Sequence, residues 1–140
     1  MRRVASGIAT AALLSIAACG STSESLEVIV GSSSTITAEL ASSDEQRRSG
    51  LSQRPEVRPG TGMLFLFDDE QIPRLWMAET LVSLDALWVY RGRVVEISHM
   101  TPCLEDQLDD CPIWTPAEDV DAVLETPPGH DAEVGDPVRW

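Results

Sequence analysis

The sequence predicts a mostly β domain, a single small sandwich or pseudobarrel of about eight short strands with one short helix at about residues 43–50. Three observations carry that class. Apolar and polar residues alternate in short segments, as half-buried strands require. Clusters of Gly, Pro, Ser and Asp separate those segments. One segment alone combines a helix start with a helix stop, so no strand–helix–strand rhythm is expected.

Alternation begins at Leu26, Val28 and Val30 and resumes at Ile36, Ala38 and Leu40, with Gly31-Ser32-Ser33-Ser34 between them as turn material. A hairpin follows from this pattern. Ser42-Ser43-Asp44-Glu45 reads as a Ser-x-x-Glu capping box starting at Ser42, and Gly50 supplies the stop. Pro55, Pro59, Gly60 and Gly62 break the chain before the continuous apolar run at residues 63–67, which suits a central strand buried on both faces. Residues 74–80 and 84–90 are the next strands, and Arg91-Gly92 turns the latter into residues 93–97. Residues 120–125 and 134–140 close the series.

The N-terminus reads as an address. Met1-Arg2-Arg3 is a positive n-region, and the uncharged stretch from Val4 to Ala18 ends in Ile16-Ala17-Ala18-Cys19. This order is that of an export signal. At about 15 residues, the apolar run falls short of the roughly 20 that a membrane-spanning helix needs. Ile16-Ala17-Ala18-Cys19 resembles a lipobox, which implies cleavage before Cys19 and acylation of its sulfur. Residues 1–18 are then a lipoprotein signal peptide, residues 19–26 a lipidated cysteine with a flexible tether, and residues 27–140 the β domain. The expected location is the cell envelope, at the outer membrane or the outer face of the cytoplasmic membrane, with lipid on Cys19 as the membrane contact.

Charge narrows the partners. The chain carries 23 Asp and Glu against 10 basic residues, all Arg, for a net charge of −13. Such a surface repels nucleic-acid phosphates, which excludes DNA and RNA binding. An unknown small molecule or an envelope protein remains as partner, and the domain is expected to be monomeric.

With Cys19 assigned to lipid, Cys103 and Cys111 form an even pair in an exported chain, and a disulfide is expected. A loop that short closes with about 2.5 kcal/mol of stabilisation in the chain-entropy model. A structural staple fits better than a redox pair, because catalytic dithiols use Cys-x-x-Cys spacing at a helix N-terminus. Glu105, Asp106, Asp109 and Asp110 lie in or beside that loop, but their spacing matches no EF-hand, and a solvated acidic loop explains them. No metal or cofactor is implied.

Asp85 stands in an apolar strand with Leu87 and Val89 as its period-two partners. A carboxylate there needs a partner. An ion pair with Arg47, Arg48 or Arg74, or backbone hydrogen bonds, is the structural reading; a general base or ligand-binding carboxylate is the functional one. Trp76 shares a period-two face with Arg74 and Thr80, and these could line a mixed apolar, cationic and hydroxyl pocket. His99 and His130 are too few for a zinc site without carboxylate help. Ser98, His99 and Asp85 make a poor triad, since neighbours on a strand point to opposite faces.

Arg47-x-x-Gly50-Leu51-x-x-Arg54, Gly62-Met63-Leu64-Phe65-x-Phe67 and Trp76-Met77-x-x-Thr80-Leu81-x-x-Leu84-Asp85 resemble the domain-of-unknown-function 192 family. The match continues through Gly92-x-Val94-Val95, Pro102-Cys103, Val123-Leu124-Glu125 and Gly135-Asp136-x-Val138. The resemblance implies a compact β-sandwich or pseudobarrel with one short helix, often exported, and no established activity. Ser52 stands where the family usually has Met, and Ala78 and Glu79 where it has a basic residue and Asn. Arg47, Trp76, Thr80 and Asp85 fit the family pattern and, with Arg74, form the candidate pocket or polar network. The expected role is a lipid-anchored binding or accessory module, with an extracytoplasmic hydrolase using Asp85 and a cation or His99, or a purely structural envelope protein, as alternatives. No catalytic motif points to an enzyme.

Overall fold

The computed structural model describes residues 24–103 and 110–140. Cys19, the 1–18 signal segment, most of the 19–26 tether, and Glu105, Asp106 and Asp109 lie outside the described residues. Ser25 and Leu26, at the end of the expected tether, already belong to the first strand.

Among the described residues, nine strands and one helix follow in order: β1 (Ser25–Val30), β2 (Ser34–Ala41), α1 (Asp44–Ser49), β3 (Thr61–Gln71), β4 (Leu75–Trp76), β5 (Leu84–Tyr90), β6 (Arg93–Met100), β7 (Ile113–Trp114), β8 (Val120–Thr126) and β9 (Val138–Arg139). Seven form one curled sheet in the order β6-β5-β8-β3-β2-β1-β9, and β4 pairs with β7 separately. The ends of the curled sheet approach one another: Val138 N–H donates to Gly92 O at 2.8 Å, and Gly135 N–H to Val94 O at 2.7 Å. The outcome is the expected pseudobarrel. None of the described helices is long and apolar enough to cross a membrane.

The run at residues 63–67 lies in β3, the middle strand of the seven. Its alternate residues serve two cores. Leu64 packs with Val28, Ile36, Leu87, Val89 and Leu124 on one face, whereas Met63 and Phe65 pack with Leu51, Met77, Trp88 and Val123 on the other. A strand covered on both sides has no reason to alternate polarity, and β5 shows the same continuous burial.

Local differences from the sequence expectation have physical causes. The helix is capped by Ser43 rather than Ser42, with Gln46 as the reciprocal N3 partner, because the Gln46 carboxamide accepts from the Ser43 N–H at 3.0 Å. β2 and β3 are parallel and joined through α1, a single strand–helix–strand crossover that the sequence did not reveal. Only Leu75–Trp76 of residues 74–80 is strand, and only Val138–Arg139 of residues 134–140. Glu79 at φ +58° and Gly135 at φ +99° take left-handed conformations that extended chain excludes. β7 had no expectation at all.

The Cys103–Cys111 disulfide is present. It ties the end of the β6 segment, where Ala78 bridges Cys103, to the chain entering β7, and so secures the small sheet that presents Trp76.

Candidate functional site

A cleft of about 610 Å³ opens between α1 and the 74–80 segment. Its walls are set by local chain chemistry. Helix α1 ends at Gly50, whose φ of +46° lets the chain reverse so that Leu51 plugs the core. That short helix delivers Arg47 and Arg48 to one wall. Opposite, β4 and the turn closed by Thr80 N–H to Met77 O at 3.0 Å bring Arg74, Trp76 and Thr80 to the other. Phe65 of β3 and Glu125 of β8 also line the cleft.

The arginines differ. Arg47 donates to Leu66 O and Ser42 O at 2.8 Å each and to Asp44 Oδ1 at 2.7 Å, and stacks over Phe67 at 5.9 Å. The Leu66 and Phe67 contacts hold α1 against β3, those to Ser42 and Asp44 brace the helix start, and the Arg47 guanidinium lowers the Asp44 carboxyl below its ordinary range by hydrogen bond and charge. Arg48 and Arg74 make no ion pair with the described carboxylates. Trp76 is half-exposed, and Thr80 is buried.

Glu125 is the residue that sequence reasoning missed. Its side chain is 6% exposed, and among the described residues nothing donates to its carboxyl. Burial alone pushes its pKa from 4.5 to about 7, because removing the carboxylate from water penalises the charged form. The signal was available: in residues 120–126 a carboxyl follows Val123 on the same strand face, the pattern that singled out Asp85. On β3 Met63 pairs with Glu125, and at the neighbouring Gly62 a Cβ would stand 2.2 Å from the Glu125 carbonyl oxygen. Only glycine allows this approach.

Asp85 is not in the cleft. It shares its face with Leu87 and Val89, whereas Glu125 shares the opposite face with Val123, so the sheet separates the two carboxyls. The arginine partners considered for Asp85 are replaced by histidines. His99, directly opposite on β6, stands with Nδ1 2.6 Å from Oδ1, and His130 Nε2 lies 3.0 Å from Oδ2. The second contact is an ion-pair distance without hydrogen-bond alignment. His130 Nδ1 accepts from the Ala132 N–H at 3.2 Å, which leaves Nε2 to carry the ring proton toward the carboxylate. Ser98 points the other way and accepts from Trp88 Nε1 at 2.9 Å, so it joins no triad.

Of the five candidate residues, the cleft gathers Arg47, Arg74, Trp76 and Thr80, and excludes Asp85. Among the described residues no group of His, Cys, Asp and Glu is arranged to hold a metal ion.

Comparison with known proteins places this fold. A crystal structure of a Sinorhizobium meliloti 1021 protein, provisionally described as a transcription regulator, is 28% identical, with a TM-score of 0.75 over 86% of this chain and 96% of its own. A protein of unknown function from Novosphingobium aromaticivorans DSM 12444 is 27% identical, also with a TM-score of 0.75, over 96% of this chain and 100% of its own. A comparison with curated proteins returns no match. The family profile DUF192, described as an uncharacterised ACR, matches residues 27–140, and the chain therefore belongs to the DUF192 family.

Proposed function

We propose that this chain is a lipid-anchored binding module of the cell envelope, and that its ligand site is the cleft between α1 and the 74–80 segment. The observation that carries the binding reading is Glu125: a buried residue whose carboxyl has no hydrogen-bond partner among the described residues and borders a cleft that also offers Arg74, Trp76 and Thr80. A carboxyl so largely desolvated gains from a partner in the cleft, and a bound ligand can supply one. The volume lies within the range of metabolite sites. Lipid attachment is supported by Ile16-Ala17-Ala18-Cys19 and by the disulfide, which accounts for both other cysteines and fits an oxidising compartment. The regulator description of the Sinorhizobium protein does not transfer as direct DNA binding, because 23 acidic residues against 10 arginines oppose it.

Native mass spectrometry of the full chain, purified from envelope fractions, tests both parts. The expected results are a diacylglyceryl mass on Cys19 as first residue and a small co-purifying molecule that Thr80→Val and Trp76→Ala lose. An unmodified Cys19 overturns the anchor; retention by both cleft variants, or no co-purifying molecule in any form, overturns the site.

One contact favours a second reading, a hydrolase. The 2.6 Å Asp85–His99 pair orients an imidazole whose side chain is 58% exposed, an arrangement suited to general-base work. Turnover of p-nitrophenyl acetate abolished by His99→Ala would support it, and equal turnover excludes it.

A further inference from the structure

The cleft departs from the acidity of the molecule around it. Its charged lining is balanced, with Asp44, Glu79 and Glu125 against Arg47, Arg48 and Arg74, in a chain whose overall charge is −13. Asp44 already pairs with Arg47. Two of those guanidiniums, Arg48 and Arg74, have no carboxylate partner among the described residues, and each presents a planar fork of donors. A half-exposed indole stands between β4 and the opening, and Phe65, Leu51 and Met77 supply an apolar interior.

Resting on the binding reading above, we propose that the ligand is an anion, a carboxylate or similar oxyanion on a flat apolar body, held by Arg48 and Arg74, stacked by Trp76, with its buried end meeting the carboxyl of Glu125. Each part has a matching group in the cleft: the guanidiniums offer an oxyanion paired donors, the half-exposed indole offers a flat apolar face, and the Glu125 carboxyl offers a hydrogen bond. A cation is disfavoured by the arginines, and a neutral ligand leaves them unused. The charged groups facing Glu125 across the cleft are those arginines with Asp44 and Glu79; no histidine lines it. Because burial holds the Glu125 proton up to about pH 7, anion binding weakens as that proton is lost. The expected loss of affinity is about tenfold between pH 6 and pH 8.

Three probes separate the possibilities: 2-naphthoate, its neutral analogue 2-naphthamide, and the cation 2-naphthylmethylammonium, each titrated into the full chain in detergent. The readout is the Trp76 indole N–H resonance, identified among the four tryptophans by its loss in Trp76→Phe. Expected are a shift with naphthoate, at least tenfold weaker binding in Arg74→Ala and in Arg48→Ala, and a pH dependence that Glu125→Gln abolishes. Naphthamide binding as tightly as naphthoate, or binding by the ammonium probe, overturns the anion assignment while leaving the cleft as the site. Binding of naphthoate that moves other resonances but not Trp76, or no binding by any probe, overturns the cleft reading as well. A pH dependence that persists in Glu125→Gln removes Glu125 from the site and leaves the arginines.

Discussion

Two carboxyls one strand apart, Asp85 on β5 and Glu125 on β8, meet burial in opposite ways. Asp85 faces the core of Val28, Ile36, Leu64 and Leu124, and is clamped between His99 and His130. Glu125 faces the core of Phe65, Met77 and Trp88, has no partner among the described residues, and keeps its proton to about pH 7. A satisfied carboxylate ties strands and a loop together. A largely desolvated carboxyl beside a cleft is where a ligand has something to gain. The contrast teaches that the conspicuous acid in the sequence holds the architecture, while the acid hidden in an ordinary strand borders the cavity.

The largest effect should come from breaking the satisfied side. Asp85→Ala leaves two imidazoles facing an empty position, one of them only 11% exposed, and is expected to cost roughly 3 kcal/mol by chemical denaturation. His130→Ala should cost more than His99→Ala, because the latter ring is half in water.

Glu125 should behave in the reverse sense. Its folded pKa of about 7 lies above the 4.5 of an ordinary glutamate. Between those values the unfolded chain has released a proton that the folded chain retains, so stability falls as pH rises through this window. The loss is complete above about pH 7 and amounts to on the order of 3 kcal/mol. Glu125→Gln should remove that contribution, so the stability difference between the two chains, followed from pH 4.5 to 8, should change by that amount in favour of the variant. A difference independent of pH would place Glu125 in contact with water.

Gly62 bears on the Glu125 side, because its missing Cβ lets β3 lie against the Glu125 carbonyl. Gly62→Ala should cost about 2 kcal/mol through overpacking and should disturb the Glu125 pH dependence more than the Asp85 cluster. The smallest effect belongs to Glu79, a non-glycine residue at φ +58° in the cleft wall. Glu79→Asn should raise stability by about 0.5 kcal/mol, seen as a small increase in Tm, because Asn tolerates the left-handed region better.

Much of this was legible along the chain. The continuous run at residues 63–67 marked the central strand, since burial on both faces removes alternation. A period-two face groups Arg74, Trp76 and Thr80, and all three line the cleft even though only Leu75–Trp76 of that segment is strand. The even pair of Cys103 and Cys111 anticipated the disulfide.

What a single chain pattern cannot express is which face of a sheet meets which neighbour. The family resemblance groups Asp85 with Arg47, Trp76 and Thr80, yet the pleat sends it to the other side. Its partners come from β6, fourteen residues away, and from the segment after β8, forty-five away. By itself the sequence determined the long strands and the helix stop, because these depend on local periodicity and conformational preference. Only the tertiary structure decided that Glu125 borders the cleft and Asp85 does not, because side-chain direction and long-range register together set what surrounds a buried charge.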